Sequence, residues 1–175
     1  NEEDLKNNLA QFFNHIFEGK NEVSSQGIKG GSGIDMVIYL GKTRKSKAGV
    51  HIEVKSPGNT SEMISPDKLN RKAFHESVLY FLFDKIKNKN NESKYIIISN
   101  LEAFYIFDAQ EFTRLFIRDN KSYSNEFEAW KNGQRNDVTT KHMYEFIAEK
   151  MTQSDKQISG YHIQLNEYRR HLHTL

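Results

Sequence analysis

Two carboxylates and a lysine are the residues whose types and spacing suit a shared chemistry. Asp35 lies near the start of one apolar segment, and Glu53 and Lys55 lie two positions apart in the next apolar segment. Residues two apart on a strand point to the same face, so Glu53 and Lys55 share a surface of the sheet. The spacing of 18 residues between Asp35 and Glu53 leaves room for two strands and a turn. A hairpin is therefore predicted to bring both carboxylates together.

This group of side chains suits metal-assisted hydrolysis of phosphodiesters. Carboxylate oxygens are ligands that Mg²⁺ prefers, and Mg²⁺ keeps coordination positions for water and for a phosphate oxygen. The backbone carbonyl of Val54 lies between the two key residues of the strand and is a natural further ligand. A bound metal lowers the pKa of its water, while Lys55 can hold the attacking water or stabilise the anionic transition state. The alternative is that Asp35, Glu53 and Lys55 are only a solvated face of the sheet.

Three features of the neighbouring sequence favour the chemical interpretation. His51, Glu53 and Lys55 alternate along a strand expected to be internal to the sheet, where a charge without a role is costly. His51 itself is interpreted as a partly buried strand histidine, not as a metal ligand. Glycines at 30, 31 and 33 precede Asp35 and allow a ligand to approach the backbone closely. Basic residues in the turn between the strands are expected to flank the site, as a polyanion requires: Lys42, Arg44, Lys45 and Lys47.

The elements that must position these residues follow from hydrophobic periodicity and predict an α/β fold. Helices are predicted over residues 2–19, 67–87 and 109–117, and from Asp137 or Thr139 to about Met151. Strands are predicted over residues 34–40, 49–55, 95–99, 103–107 and 159–165. The stretch 119–136 is predicted to be irregular, with Phe127 and Trp130 as isolated anchors. We expect a mixed central sheet flanked by helices, with residues 1–118 as the core and 119–175 as a helical extension packed on the same domain.

Composition limits the class of protein. The 175 residues fit one domain, and 25 basic against 23 acidic side chains exclude a strongly basic coat protein and an acidic disordered tail. The absence of cysteine excludes disulfides and thiolate zinc sites. No apolar run approaches the roughly 20 residues that cross a bilayer, and the acidic start does not fit a signal peptide. These features predict a soluble, cytoplasmic protein with no membrane partner.

The segments around the three residues resemble the PD-(D/E)XK nuclease superfamily. The resemblance rests on residues 33–40, Gly-Ile-Asp-Met-Val-Ile-Tyr-Leu, and on residues 50–57, Val-His-Ile-Glu-Val-Lys-Ser-Pro. Ile34 stands where the motif has proline, and the second half of the motif is Glu-Val-Lys. Residues 70–76 and 98–112 are similar to the N-terminal nuclease domain of single-chain type IIG restriction–modification enzymes. The resemblance covers residues 10–118 well and the remainder weakly.

The resemblance implies a restriction-endonuclease-like core and a Mg²⁺-dependent DNA endonuclease, with Mn²⁺ as a substitute metal. It implies Asp35 and Glu53 as metal ligands, together with the carbonyl of Val54, and Lys55 as the catalytic lysine. Glu18, at the end of the first helix, is a further candidate ligand, and the alternative is an exposed helix-end charge. Residues that could contact DNA lie in the basic turn and on the helix after the motif: Lys42, Arg44, Lys45, Lys47, Asn70, Arg71 and His75. The alternatives for them are a soluble turn and a solvated helix face.

The resemblance also implies partners. Double-stranded DNA is the expected substrate, and a double-strand break, which usually needs two active sites, favours a dimer on DNA. A methyltransferase, with S-adenosylmethionine as its cofactor, and a target-recognition domain are expected further along the natural chain. Neither occurs within these 175 residues, so either the chain is an excised domain or the resemblance does not extend to the full-length architecture. Two alternatives stay open: the N-terminal nuclease of an ATP-dependent type I restriction subunit, and a non-catalytic nucleic-acid-binding module on the same fold.

Overall fold

The computed structural model describes residues 2–25 and 33–165. The strands of this part of the chain form one six-stranded sheet. Its strands follow chain order: β1 (Val23–Ser24), β2 (Met36–Tyr39), β3 (Ala48–Val54), β4 (Tyr95–Ser99), β5 (Ala103–Asp108) and β6 (Gly160–Gln164). β3 and β4 are parallel, and every other neighbouring pair is antiparallel. The mixed α/β sheet predicted from the sequence is therefore confirmed, with β3 internal to it.

Within residues 2–25 and 33–165, five α-helices cover the two faces of this sheet. They are α1 (Glu2–Ile16), α2 (Lys72–Leu82), α3 (Ala109–Thr113), α4 (Ser122–Lys131) and α5 (Thr140–Thr152). α2 and α3 each continue into a π-helical turn, over Phe83–Lys87 and Arg114–Arg118. α2 connects β3 to the parallel strand β4, as a parallel pair requires a crossover. No helix in the described ranges is long and apolar enough to span a membrane.

The alternation along β3 separates the two layers of the core. Ile52 and Val54 face α1 and pack with its Leu9. The opposite face of the sheet packs against α2 to α5, and its core is rich in fully buried phenylalanines such as Phe74 and Phe112. The side chains of β3 that point to this second face therefore approach α2, and this orientation controls which residues can meet at the site.

Two of the predicted elements need correction. The stretch 119–136 is not irregular, because α4 occupies most of it. Tyr123, Phe127 and Trp130 are buried at helical spacing, so the two aromatic anchors belong to an amphipathic helix. The helix predicted over residues 67–87 begins only at Lys72, because Ser65 and Lys68 pair across a tight turn before it.

The segment after residue 118 joins the same sheet and the same core. β6 pairs with β5 in antiparallel register, in agreement with the strand predicted over 159–165. α5 begins directly after Thr139, as the capping pattern predicts, although the Thr139 side chain makes no capping hydrogen bond. Residues 166–175, the end of the expected extension, lie outside the described residues.

Candidate functional site on the β2–β3 hairpin

The site lies at the open end of the β2–β3 hairpin. Met36 pairs with Ile52, so Asp35, just before β2, is level with the last residues of β3. The Oδ2 atom of Asp35 accepts a hydrogen bond of 2.9 Å from the backbone N–H of Val54. The prediction that a hairpin brings Asp35 beside Glu53 is confirmed, because this bond fixes the Asp35 carboxylate against the segment that carries Glu53.

Lys55 is held between two buried carboxylates. Its Nζ lies 2.6 Å from Glu53 Oε1 and 2.6 Å from Glu76 Oε2. Lys55 and Glu53 are each only 4% exposed. Burial alone would lower the pKa of Lys55, but the charges of Glu53 and Glu76 outweigh burial and raise that pKa above its usual value. Lys55 is therefore a fixed ammonium group that can donate hydrogen bonds.

Burial and two acidic neighbours disfavour the charged form of Glu53. Its Oε2 atom is buried and has no hydrogen-bond partner among the residues that the structure describes. Burial, followed by the charges of Asp35 and Glu76, raises the pKa of Glu53 well above its usual value, although Lys55 opposes this rise. A buried carboxylate with one free oxygen and two acidic neighbours is a place where a proton or a metal cation would be stabilising.

Glu76 is a site residue that the sequence reasoning missed. It lies on α2, is 7% exposed, pairs with Lys55, and its charge is one of the causes that raise the pKa of Glu53. A signal was present, because Glu76 interrupts a run of α2 residues that are otherwise mostly apolar and buried. A carboxylate on the sheet-facing side of a helix is costly unless a cation meets it.

Lys6, which lies on α1, was also missed. Its Nζ lies 2.7 Å from Asp35 Oδ1 and 3.2 Å from Glu2 Oε1. Glu18, the predicted ligand of the first helix, is not brought to Asp35: α1 ends at Ile16, and Glu18 is exposed beside an open polar pocket. Since a helix rises about 1.5 Å per residue, the end of α1 at Ile16 lies about 15 Å along the axis from Lys6, and Glu18 is in the turn that follows this end.

The basic turn does not flank the carboxylates, and the prediction that it does is wrong. Lys42, Arg44, Lys45 and Lys47 are exposed in the loop that closes the β2–β3 hairpin. Asp35 and Glu53 lie at the open end of the same hairpin, and a strand rises about 3.3 Å per residue. The length of β3 therefore separates the turn from Glu53 by about 20 Å. Lys47 Nζ donates instead to the backbone oxygen of Asn88, at 3.1 Å.

The three residues predicted to contact DNA near the start of α2 make hydrogen bonds within the chain, although Asn70 is exposed. Asn70 Nδ2 donates to the backbone oxygen of Ala148 and to Thr152 Oγ1, each at 3.0 Å, so its Oδ1 accepts from His75 Nε2 at 2.6 Å. Burial lowers the pKa of His75 to about 4, which keeps its ring neutral near pH 7. Arg71 Nη1 donates to the backbone oxygen of Ser61. These contacts hold the start of α2 and the end of α5.

Two further sequence predictions concern His51 and the glycines. His51 is buried, and its Nε2 lies 2.9 Å from Asp84 Oδ2, which confirms the buried strand histidine. At Gly33 a Cβ would lie 2.9 Å from the hydroxyl oxygen of Tyr80, so this glycine makes room for Tyr80. The glycines at 30 and 31 lie outside the described residues, and the predicted ligand approach there stays a prediction.

The donor chemistry of the site fits Mg²⁺. Within the described ranges, no group of three or more His, Cys, Asp or Glu side chains is arranged to hold a metal ion. Mg²⁺, however, is commonly bound through one or two carboxylates and keeps several waters. Asp35, Glu53 and the carbonyl of Val54 supply oxygen ligands of this kind. The Oε2 atom of Glu53 is buried and has no hydrogen-bond partner among the described residues, so a cation would stabilise this oxygen most directly.

The chain matches a family of protein domains. The model of a family described as a domain of unknown function, DUF7149, matches residues 1–175. Neither the curated proteins nor the solved structures contain a match to the chain. The family description names no activity.

Proposed function

We propose that this chain, which belongs to the DUF7149 family, is a Mg²⁺-dependent endodeoxyribonuclease domain with a restriction-endonuclease-like core. One observation carries the proposal: the hydrogen bond from the Val54 N–H to Asp35 Oδ2 joins Asp35 to the strand end that carries Glu53 and Lys55. The surplus negative charge around Glu53 supports it, because a divalent cation would relieve that charge.

Each residue has a distinct role in this proposal. Asp35, Glu53 and the carbonyl of Val54 would hold Mg²⁺, with Mn²⁺ as a substitute. When bound, the metal lowers the pKa of a coordinated water and neutralises charge on the phosphate. Lys55 donates hydrogen bonds to the attacking water or to the developing anionic oxygen. Glu76 is a positioning residue, because its contact of 2.6 Å with Lys55 fixes where that ammonium points.

The wider setting of the proposal comes from the resemblance to type IIG restriction–modification enzymes. In that setting the substrate is double-stranded DNA in the cytoplasm, and two copies act together on one duplex. A methyltransferase that uses S-adenosylmethionine and a target-recognition domain would belong to the same polypeptide. A helicase in their place would identify a type I restriction subunit, and the sequence that follows Leu175 in the gene distinguishes the two.

A second candidate function is a non-catalytic nucleic-acid-binding module on the same fold. One observation favours it: lysines already neutralise part of the carboxylate charge, since Lys6 contacts Asp35 at 2.7 Å and Lys55 contacts Glu53 at 2.6 Å. Buried ion pairs of this kind also occur in proteins without any catalytic role. Such a module would have no metal site that depends on Asp35 and Glu53.

Cleavage and metal binding should be measured on the same variants. We expect the protein to cleave plasmid DNA with Mg²⁺ or Mn²⁺, and Asp35→Asn or Glu53→Gln to slow cleavage by about a hundredfold or more. Both changes keep the shape of the side chain. Glu145→Gln, at an exposed position of α5, is the matched control and should cleave at the normal rate.

Calorimetric titration with Mn²⁺ separates the two candidate functions. For the nuclease we expect Mn²⁺ binding that Asp35→Asn and Glu53→Gln weaken and that Glu145→Gln leaves unchanged. Binding that none of these changes affects would exclude the proposed metal site and favour the non-catalytic module. Cleavage at the normal rate by Glu53→Gln would exclude Glu53 from the reaction.

A further inference from the structure

Both oxygens of Asp35 are already occupied by groups of this chain. Oδ2 accepts the hydrogen bond of the Val54 N–H, at 2.9 Å. Oδ1 lies 2.7 Å from the ammonium of Lys6, and the two side chains are only 17% and 11% exposed. A metal ion that uses Asp35 as a ligand therefore meets a cation already in contact with the same carboxylate.

We infer that Lys6 is an internal counter-ion at Asp35, which a divalent cation must displace before it can bind there. This inference rests on the proposed function, since it assumes the metal site of Asp35 and Glu53. Like charges repel with an energy that falls only as the inverse of their distance. An ammonium in contact with Oδ1 therefore lowers the affinity of this carboxylate for any added cation. Lys6 acts through Asp35 and is a positioning residue.

The surroundings of Lys6 give the displaced ammonium a second partner. Glu2 lies one helical turn earlier on α1, and its Oε1 is 3.2 Å from Lys6 Nζ. Glu2 is more exposed than Asp35, with 37% of its side chain open to solvent. Lysine has a long, flexible side chain, so Lys6 can leave Asp35 and keep its pair with Glu2. Displacement then requires a change of side-chain conformation and leaves the Leu9 contact of α1 in place.

Three lysine variants test the competition. Lys6→Gln removes the charge, and Lys6→Arg keeps it. Lys141→Gln is the matched control, because Lys141 also pairs with a glutamate one helical turn away, Glu145, but lies on α5. Calorimetric titration with Mn²⁺ should show about fivefold tighter binding for Lys6→Gln, the equivalent of losing one partly exposed ion pair. Lys6→Arg and Lys141→Gln should bind as the unaltered protein does.

Thermal unfolding separates competition from a purely structural role. Without metal, Lys6→Gln loses an ion pair and should have a lower Tm than the unaltered protein. With saturating Mn²⁺ the Tm of Lys6→Gln should rise by more than that of the unaltered protein, because tighter binding to the folded state stabilises it further. A residue that only supports the fold would lower the Tm by the same amount with and without Mn²⁺.

The possible results distinguish this inference from the proposed function. If the unaltered protein binds Mn²⁺ through Asp35 and Lys6→Gln binds it equally or more weakly, the competition is refuted while the metal site stands. If neither protein shows Mn²⁺ binding that Asp35→Asn weakens, the metal site is refuted, and the inference about Lys6 is refuted with it.

Discussion

Lys55 neutralises two buried carboxylates, so its replacement by methionine should strongly destabilise the protein at pH 8. Methionine keeps the unbranched stem and removes the charge. Lys55 Nζ contacts Glu53 and Glu76 at 2.6 Å each, and Lys55 is 4% exposed. Removing one partner of a buried ion pair costs about 3–5 kcal/mol, because the remaining charge stays buried. We expect the free energy of unfolding of Lys55→Met to fall by about this amount.

The loss should become smaller as the pH falls. Burial and the charges of Asp35 and Glu76 raise the pKa of Glu53 well above its usual value, and Lys55 opposes that rise. Without Lys55 the pKa of Glu53 in the folded protein rises further. A carboxyl group whose pKa is raised by folding destabilises the folded state above that pKa, and stability returns as the pH falls toward the unfolded value. Lys55→Met should therefore be closest to the unaltered protein near pH 5.

Urea unfolding at pH 8 and pH 5, in the presence of a chelator, measures both effects. Trp130 is buried and reports unfolding by its fluorescence. Lys72→Met is the matched control: Lys72 pairs with Glu62 at 2.9 Å and with Glu76 at 3.9 Å, but 45% of its side chain is exposed. An exposed pair contributes less than about 1 kcal/mol. Two results would refute the argument that Lys55 neutralises Glu53 and Glu76. One is an equal loss of unfolding free energy for Lys55→Met at both pH values, and the other is a loss no larger than that of Lys72→Met.

Two more predictions concern residues away from the carboxylates. Because burial lowers the pKa of His75 to about 4, stability should fall as the pH drops from about 6.5 toward 4, where the unfolded chain binds the proton and the folded protein does not. In urea unfolding, the stability of His75→Gln should no longer show this part of the dependence on pH. An unchanged dependence of its stability on pH would contradict the prediction. Changing Lys42, Lys45 and Lys47 to Gln should weaken DNA binding and reduce its logarithmic salt slope by up to about 3. The cleavage rate at saturating DNA should not change, because the turn is about 20 Å from Glu53, and an unaltered salt slope would exclude the turn from the DNA interface.

Local patterns were enough to predict the hairpin and one wall of the site. The alternation of Val50, Ile52 and Val54 identifies β3 and its two faces, and the short turn region before it predicts the pairing with β2. Asp35 and Glu53 then meet because a hairpin aligns its open ends. The same rule places residues 42–47 at the opposite end, so their distance from the site was derivable from the predicted hairpin.

The remaining walls of the site depend on packing between distant elements. Lys6 and Glu76 reach the hairpin from α1 and α2, and nothing local in the sequence fixes where a helix crosses a sheet. Charge complementarity is the signal that could have predicted the position of Glu76. A carboxylate in the buried stretch of α2 is costly without a neighbouring cation. The helix α4 was missed for another reason: its apolar residues are sparse among polar ones, which hides the helical spacing of Tyr123, Phe127 and Trp130.

The charge balance of the site limits how DNA could approach it. Five carboxylates meet three lysines in this network of ion pairs, so carboxylates exceed cations: Glu2, Asp35, Glu53, Glu62 and Glu76 against Lys6, Lys55 and Lys72. A phosphate near Glu53 would be repelled, and the basic turn about 20 Å away is beyond the screening length of about 8–10 Å at physiological ionic strength. Protonation of Glu53 or a bound divalent cation can remove the excess, and only the cation also adds positive charge for a phosphate. If the proposed function holds, metal binding must precede or accompany the entry of DNA, and displacement of Lys6 from Asp35 belongs to that same step.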